Sequence, residues 1–254
     1  MRHLLSAACG LVLICAFAGQ GSAEDLAGKT AETATATNPV VVEMFTSQGC
    51  VACPPADEFF ASLTRDKRVI ALSLHIDYWD YIGWEDSFGS SRFTERQKEY
   101  ARVIGSRTIY TPQFIIGGVE RIEGLDPEST LKALADYAAA QSPVTLTVTR
   151  EGDRLVIRAR AEPPLTEPAR VELARYLPEA TVDIERGENA GKTVTYRNIV
   201  TGWDSLGDWA GIEPLEISIP ITGELPAVVL IQDVSGKGAK AAGPGRIFAA
   251  AVAP

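Results

Sequence analysis

The sequence predicts an α/β domain followed by an all-β, sandwich-like domain, with the change near residue 142. Three observations carry this. Up to Ala140, apolar β-branched runs alternate with helical stretches, the order that builds α/β layers. Beyond Gln141-Ser142-Pro143, short apolar–polar alternations follow one another between turn signals, with no helix-length amphipathic stretch. At 254 residues, 46% apolar and 22% charged, the chain is long enough and globular enough for two such cores.

Taken in order, order begins near Pro39. Val40 to Phe45 is a dense apolar run and reads as a buried strand. Thr46 to Gly49 is a loop leading to Cys50-Val51-Ala52-Cys53. Pro54 and Pro55 suit the first turn of a helix, continued at helical spacing by Phe59, Phe60 and Leu63. A second buried strand covers Val69 to Ile76. Residues 77 to 91 are aromatic and acidic without a clean period. A polar helix is expected from Phe93 to Val103, then a strand from Ile109 to Ile116 that contains Thr111-Pro112. Gly117-Gly118 signals a hairpin turn, and Val119 to Ile122 is its return strand. Asp126 is the expected N-cap of a helix from Pro127 to Ala140. Further strands are expected around Val144 to Val148, Leu155 to Ile157, Val171 to Tyr176, Val194 to Val200, Leu215 to Ile219, Ala227 to Gln232 and Ile247 to Val252.

Residues 1–23 read as a signal peptide. Arg2 and His3 precede an apolar run from Leu4 to Ala18, and Gly21-Ser22-Ala23 supplies small residues for cleavage. The run is short for a bilayer span, which wants about 20 residues, so no stable membrane insertion is expected once it is removed. Cys9 and Cys15 lie in poor context for lipidation. Residues 24–38, rich in Ala and Thr, read as a flexible leader. A periplasmic or secreted location is the expectation. The net charge of −9 argues against a nucleic-acid partner.

Export leaves Cys50 and Cys53 as the two cysteines of the mature chain, in a compartment where thiols are paired. Disulfide exchange needs an attacking thiolate and a second thiol that resolves the mixed disulfide. Two intervening residues put both sulfurs at one helix end, where the dipole and free N–H groups lower the pKa of the first. Cys50 is the expected nucleophile and Cys53 the resolving thiol, acting on a protein thiol or disulfide without a cofactor. Two other readings compete. A purely structural bridge would close too short a loop to stabilise much. A metal site would lack ligands for zinc, whereas Cu(I) accepts two thiolates, so copper handling stays open, as does a non-catalytic binding or scaffold role.

Glu43 is a carboxylate in an otherwise apolar strand aimed at the cysteine loop. Buried there, it is a candidate proton carrier for Cys53; the plainer reading is a carboxylate satisfied by a neighbouring donor or exposed at the strand's end. His75 and the run Asp77-Tyr78-Trp79-Asp80 leave the second strand at the end where ligand sites form, and His75, Tyr78 and Trp79 are candidate substrate-facing residues. Each has a plainer reading, as a satisfied strand histidine or a core aromatic.

The run Val42 to Asp57, with its Ser47-Gln48-Gly49-Cys50 and Cys53-Pro54-Pro55-Ala56-Asp57, resembles a family of secreted bacterial proteins of unknown function. So do His75-Ile76-Asp77-Tyr78-Trp79-Asp80, Tyr110-Thr111-Pro112-Gln113 and Thr195-Tyr196-Arg197-Asn198. The resemblance implies a thioredoxin-like fold for residues 39–142, ahead of the β-sandwich-like residues 143–254. It also implies a cis peptide at Thr111–Pro112 beside the sulfurs, with Pro112 in the catalytic set and Thr111 binding the partner backbone. Val51-Ala52 stands where thioredoxins proper carry Gly-Pro, so no redox potential carries over.

Overall fold

Strand β2, Val40–Thr46, is buried along its whole length, and its two faces serve different layers. Val40, Val42 and Met44 pack beneath helices α1 (Pro54–Leu63) and α3 (Pro127–Ala139), with Phe60, Leu63, Ala133 and Leu134. Val41 and Phe45 face helix α2 (Ser91–Val103), with Phe93 and Tyr100. Fully burying each such side chain contributes roughly 1.5–3 kcal/mol, so strand and helices hold one another in place. In this computed structural model the described residues are 32–35, 39–236 and 240–254. The expected signal segment and most of the expected leader lie outside them. Within that leader, Glu32–Thr35 is a strand, β1.

Strand β3 (Val69–His75) runs parallel to β2, in register from Val40↔Val69 to Thr46↔His75, and α1 is the crossover. Strand β4 (Gln113–Ile116) lies antiparallel on the other edge of β2, and β5 (Glu120–Glu123) closes that side. The expected strand from Ile109 starts only at Gln113, because Pro112 offers no N–H to a ladder. The remaining strands are β6 (Val144–Glu151), β7 (Arg154–Ala161), β8 (Ala169–Ile184), β9 (Lys192–Trp209), β10 (Leu215–Pro220), β11 (Ala227–Asp233) and β12 (Ile247–Val252).

The expected pairing of a thioredoxin-like α/β domain with a separate β domain does not hold. Residues Ala31–Pro254 form one compact unit. The described chain is mostly β, 43% strand against 18% helix, around one mixed eight-stranded sheet. Its order is β12-β11-β8-β9-β3-β2-β4-β5, so strands from both halves of the sequence share it. The seam is β3 beside β9, in parallel register at Ser73↔Ile199. The physical reason lies in β3, whose Leu72, Leu74 and His75 are all 0% exposed. A strand buried on both faces needs partners at both edges, and hydrophobic periodicity reports which face is apolar, not which strand lies alongside. A second sheet, β1-β6-β7-β10, packs over the other end of the large one through Leu146, Val148, Leu155 and Ile157 against Val171, Leu173, Val229 and Ile231. Among the described residues no helix is long and apolar enough to cross a membrane.

Candidate functional site

The cysteine turn leaves the C-terminal end of β2. The Cys50 N–H donates to the Ser47 carbonyl (3.1 Å), and the Cys53 N–H donates to the Cys50 carbonyl (3.2 Å). Cys50 and Cys53 are joined by a disulfide, with Cα atoms 5.4 Å apart. Cys53 occupies the N-cap of α1, and Pro54 and Pro55 follow it. The two prolines bring no N–H, and the next two donors, Ala56 and Asp57, are both taken by the Cys53 carbonyl (2.8 and 2.9 Å). The expected cradle of free amides is therefore absent from this helix start, and the dipole alone favours a thiolate there. Cys53 is 0% and Cys50 3% exposed, while Val51 between them is 56% exposed.

Beneath the turn, on the α1 face of the sheet, sit two buried polar groups. Register places Thr46 and His75 side by side on that face. The Thr46 hydroxyl donates to Asp57 Oδ1 (2.9 Å). The other oxygen, Asp57 Oδ2, has no hydrogen-bond partner, and neither has His75 Nε2. Burial pushes the Asp57 carboxyl from 3.8 up to about 7, opposed by His75 and by the Thr46 hydroxyl and assisted by Asp86. His75 Nδ1 lies 2.7 Å from Asp86 Oδ2. A carboxylate only accepts, so Nδ1 carries the hydrogen. Asp86 also accepts the N–H groups of Gln48 and Phe88, each at 2.8 Å.

Glu43 is not at this site. Side chains alternate along a strand, so Glu43 shares its face with Val41 and Phe45, turned away from α1. It is fully buried in an ion pair with Arg96 (Nε–Oε2 2.6 Å, Nη2–Oε1 2.9 Å) and accepts from the Tyr100 hydroxyl (2.5 Å). The guanidinium also stacks 3.8 Å over the Trp203 ring. This is a structural joint between α2 and the sheet.

The remaining expected residues surround the turn. The Thr111–Pro112 peptide is cis. The pairing Phe45↔Gln113 carries Pro112 next to Thr46, where β2 ends and the cysteine turn begins. Trp79 Nε1 donates to Thr111 Oγ1 (2.7 Å), and the Trp79 Cβ lies where any side chain on Gly49 would reach it. Trp79 thus bridges the cysteine turn and the Thr111–Pro112 loop. Tyr81, 80% exposed, stacks on it. The Tyr78 hydroxyl donates to Gln97 Oε1 (3.1 Å), and burial pushes its pKa up to about 12. His75 is 0% exposed, so a partner does not reach it directly.

Sequence reasoning missed Asp57, Asp86 and Asn189, whose side-chain amide donates to the carbonyls of Gln48 and Cys50. The spacing of Asp57 was visible, four residues after Cys53 and so on the same helix face. Asp86 and Asn189 come from remote segments and leave no local pattern. Among the described residues no group of three His, Cys, Asp or Glu side chains is placed to hold a metal ion.

A family model described as a protein of unknown function, DUF1223, matches residues 41–232. No curated protein matches the chain. Among solved structures, a structural-genomics protein of Agrobacterium tumefaciens is 32% identical with a TM-score of 0.71, over 84% of this chain and 93% of that one. HBP35 of Porphyromonas gingivalis is 14% identical with a TM-score of 0.60, over 85% of this chain and 74% of that one, a likeness of fold alone.

Proposed function

Because the chain belongs to the DUF1223 family, whose description assigns no activity, the site itself has to supply the reading, and we propose an exported thiol–disulfide exchange protein acting on cysteines of other proteins. One observation carries it: the Cys50–Cys53 bridge sits at the start of α1, one helical turn before a buried carboxyl that titrates near pH 7. A bridge spanning so few residues is a weak staple, while a nearby group that gives or takes a proton at neutral pH is what reversible exchange uses.

In the oxidising direction, a partner thiol loses its proton to water, and its thiolate attacks the Cys50 sulfur. The Cys50–Cys53 bond breaks, a partner–Cys50 bond forms, and Cys53 leaves as a thiolate that takes the proton of Asp57. A second partner thiol gives its proton to water, its thiolate displaces Cys50, and the Cys50 thiolate and the Asp57 carboxylate each take a proton back from water. The partner ends as a disulfide and the chain as a dithiol, two electrons having passed between them. The same steps reversed reduce a partner disulfide. Val51, Trp79, Tyr81 and Thr111 form the rim that the partner crosses, with Pro112 beside the turn. The apolar N-terminal segment supports export, and the acidic chain supports protein rather than nucleic-acid partners.

The test is capture. A Cys53→Ala variant exposed to periplasmic extract should accumulate mixed disulfides through Cys50, seen as reducible bands on electrophoresis. Absence of such bands, together with no exchange against glutathione, refutes the reading.

A further inference from the structure

The outer half of the β8–β9 hairpin leaves the sheet. β8 pairs with β11 only over Ala169–Arg175, whereas β8 and β9 stay paired with each other out to Ile184↔Lys192. At the tip, residues 185–191, Asn189 is 1% exposed although Glu188 and Ala190 beside it are exposed. Burying an asparagine at the end of an exposed hairpin costs free energy unless its polar atoms find partners. They do. Its amide donates to the carbonyls of Gln48 and Cys50, both at 2.9 Å, and its oxygen accepts from Lys192 Nζ (2.7 Å). An ammonium on the oxygen draws charge from the amide and strengthens both donated bonds.

The grip is two-sided. Gly187, with φ +78°, lies against Trp84, and Trp84 Nε1 donates to Gln48 Oε1 (2.8 Å). From the opposite side, Asp86 accepts the Gln48 N–H at 2.8 Å. Gln48 and Cys50, the two carbonyls that bracket Gly49 in the turn, are thus both held by one side chain about 140 positions along the chain.

We propose that Asn189 is a positioning residue for the Cys50–Cys53 couple: the hairpin tip fixes the cysteine turn so that the two sulfurs stay within bonding reach, and thereby biases the couple toward the disulfide. This rests on the exchange reading only in taking the bridge to be reversible. The stability of an intramolecular disulfide follows the effective concentration of one thiol at the other. A turn with both carbonyls clamped samples few sulfur separations; a released turn samples many.

The experiment is equilibration of the full chain with defined ratios of reduced and oxidised glutathione, followed by quantification of dithiol and disulfide. Asn189→Asp keeps the shape and the Lys192 partner but has no N–H to donate. Its equilibrium should move toward the dithiol by about tenfold, or about 30 mV for a two-electron couple. Lys192→Ala, which only depolarises the Asn189 amide, should move it the same way by a smaller factor. Thr181→Ala, on the same hairpin but bonded only across it to Thr195, should match the wild type. An Asn189→Asp equilibrium within about twofold of the wild type, in protein with an unchanged circular dichroism spectrum, overturns the proposal. Should that variant not fold, an unshifted Lys192→Ala equilibrium overturns it. The glutathione measurement needs no biological partner, so failure to trap one counts against the exchange function alone.

Discussion

Asp57 donates its backbone N–H to the carbonyl of Cys53 at 2.9 Å, which places a buried carboxyl and a buried sulfur one turn apart on the same face of α1. That sulfur is the first to leave as a thiolate in exchange and must then gain a proton. The carboxyl, raised to about 7 by burial, is the group able to trade that proton at neutral pH. Glu43, by contrast, is locked to a guanidinium.

The raised Asp57 pKa makes stability depend on pH. Between about pH 4 and 7 the folded chain keeps a proton there that the unfolded chain has released, so stability falls as pH rises through that window, and above it the full cost of burying the charge applies. Asp57→Asn has no charge to bury. The oxidised variant's thermal midpoint, relative to the wild type, should climb from about pH 4.5 to pH 8 by the equivalent of roughly 3 kcal/mol. A difference that stays constant across this range contradicts the assignment.

Glu43→Gln should separate architecture from chemistry. It takes from Arg96, itself nearly buried, the carboxylate that holds it most closely and leaves only Glu172, 3.8 Å away. Removing one partner of a buried pair costs about 3–5 kcal/mol, to be read in urea unfolding. In folded protein, the glutathione equilibrium should stay at the wild-type value, because Glu43 faces away from α1. A large shift in that equilibrium would return Glu43 to the site.

These two carboxylates show what was legible in the sequence and what was not. Elements set by local pattern were readable: β2 from its apolar run, α1 from Pro54-Pro55 and its spaced aromatics, and α3 from its Asp126 cap, whose side chain does accept the Ser129 N–H. The face on which Glu43 points was not, since it depends on which helix covers which side of β2. The two-domain reading failed for the same kind of reason. The strand that completes β3 begins at Lys192, and a backbone ladder between residues so distant carries no sequence signature. Asp86 and Asn189 reach the cysteine turn from 38 and 141 positions away, so the motif around Cys50 and Cys53 was readable while the groups that hold it were not.

Reducing the disulfide should barely weaken the fold. The bridge joins residues only three positions apart, and the chain-entropy cost it removes from the unfolded state is at most about 2 kcal/mol. Urea midpoints of oxidised and reduced protein should differ accordingly little. Collapse on reduction would instead make the bridge a structural staple and weaken the exchange reading.

Asp86 is the opposite case, a group whose loss should be felt throughout the site. It accepts from His75, from the Gln48 N–H and from the Phe88 N–H, all within 2.8 Å. Asp86→Ala strips three donors of their acceptor at once, and each buried group left unsatisfied costs about 1–3 kcal/mol. A loss of well over 3 kcal/mol in urea unfolding is expected, against about 0.5 kcal/mol or less for an ordinary surface change. The Gln48 backbone would lose its hold on the N–H while Asn189 kept the one on its carbonyl. In reduced, still-folded Asp86→Ala protein under native buffer, Cys50 should therefore alkylate faster than in the wild type. Asp86→Asn, which still accepts through its amide oxygen, should fall between the two on both measurements. A variant as stable as the wild type, with Cys50 no more reactive, would mean that the turn holds itself and that these remote side chains only pack against it.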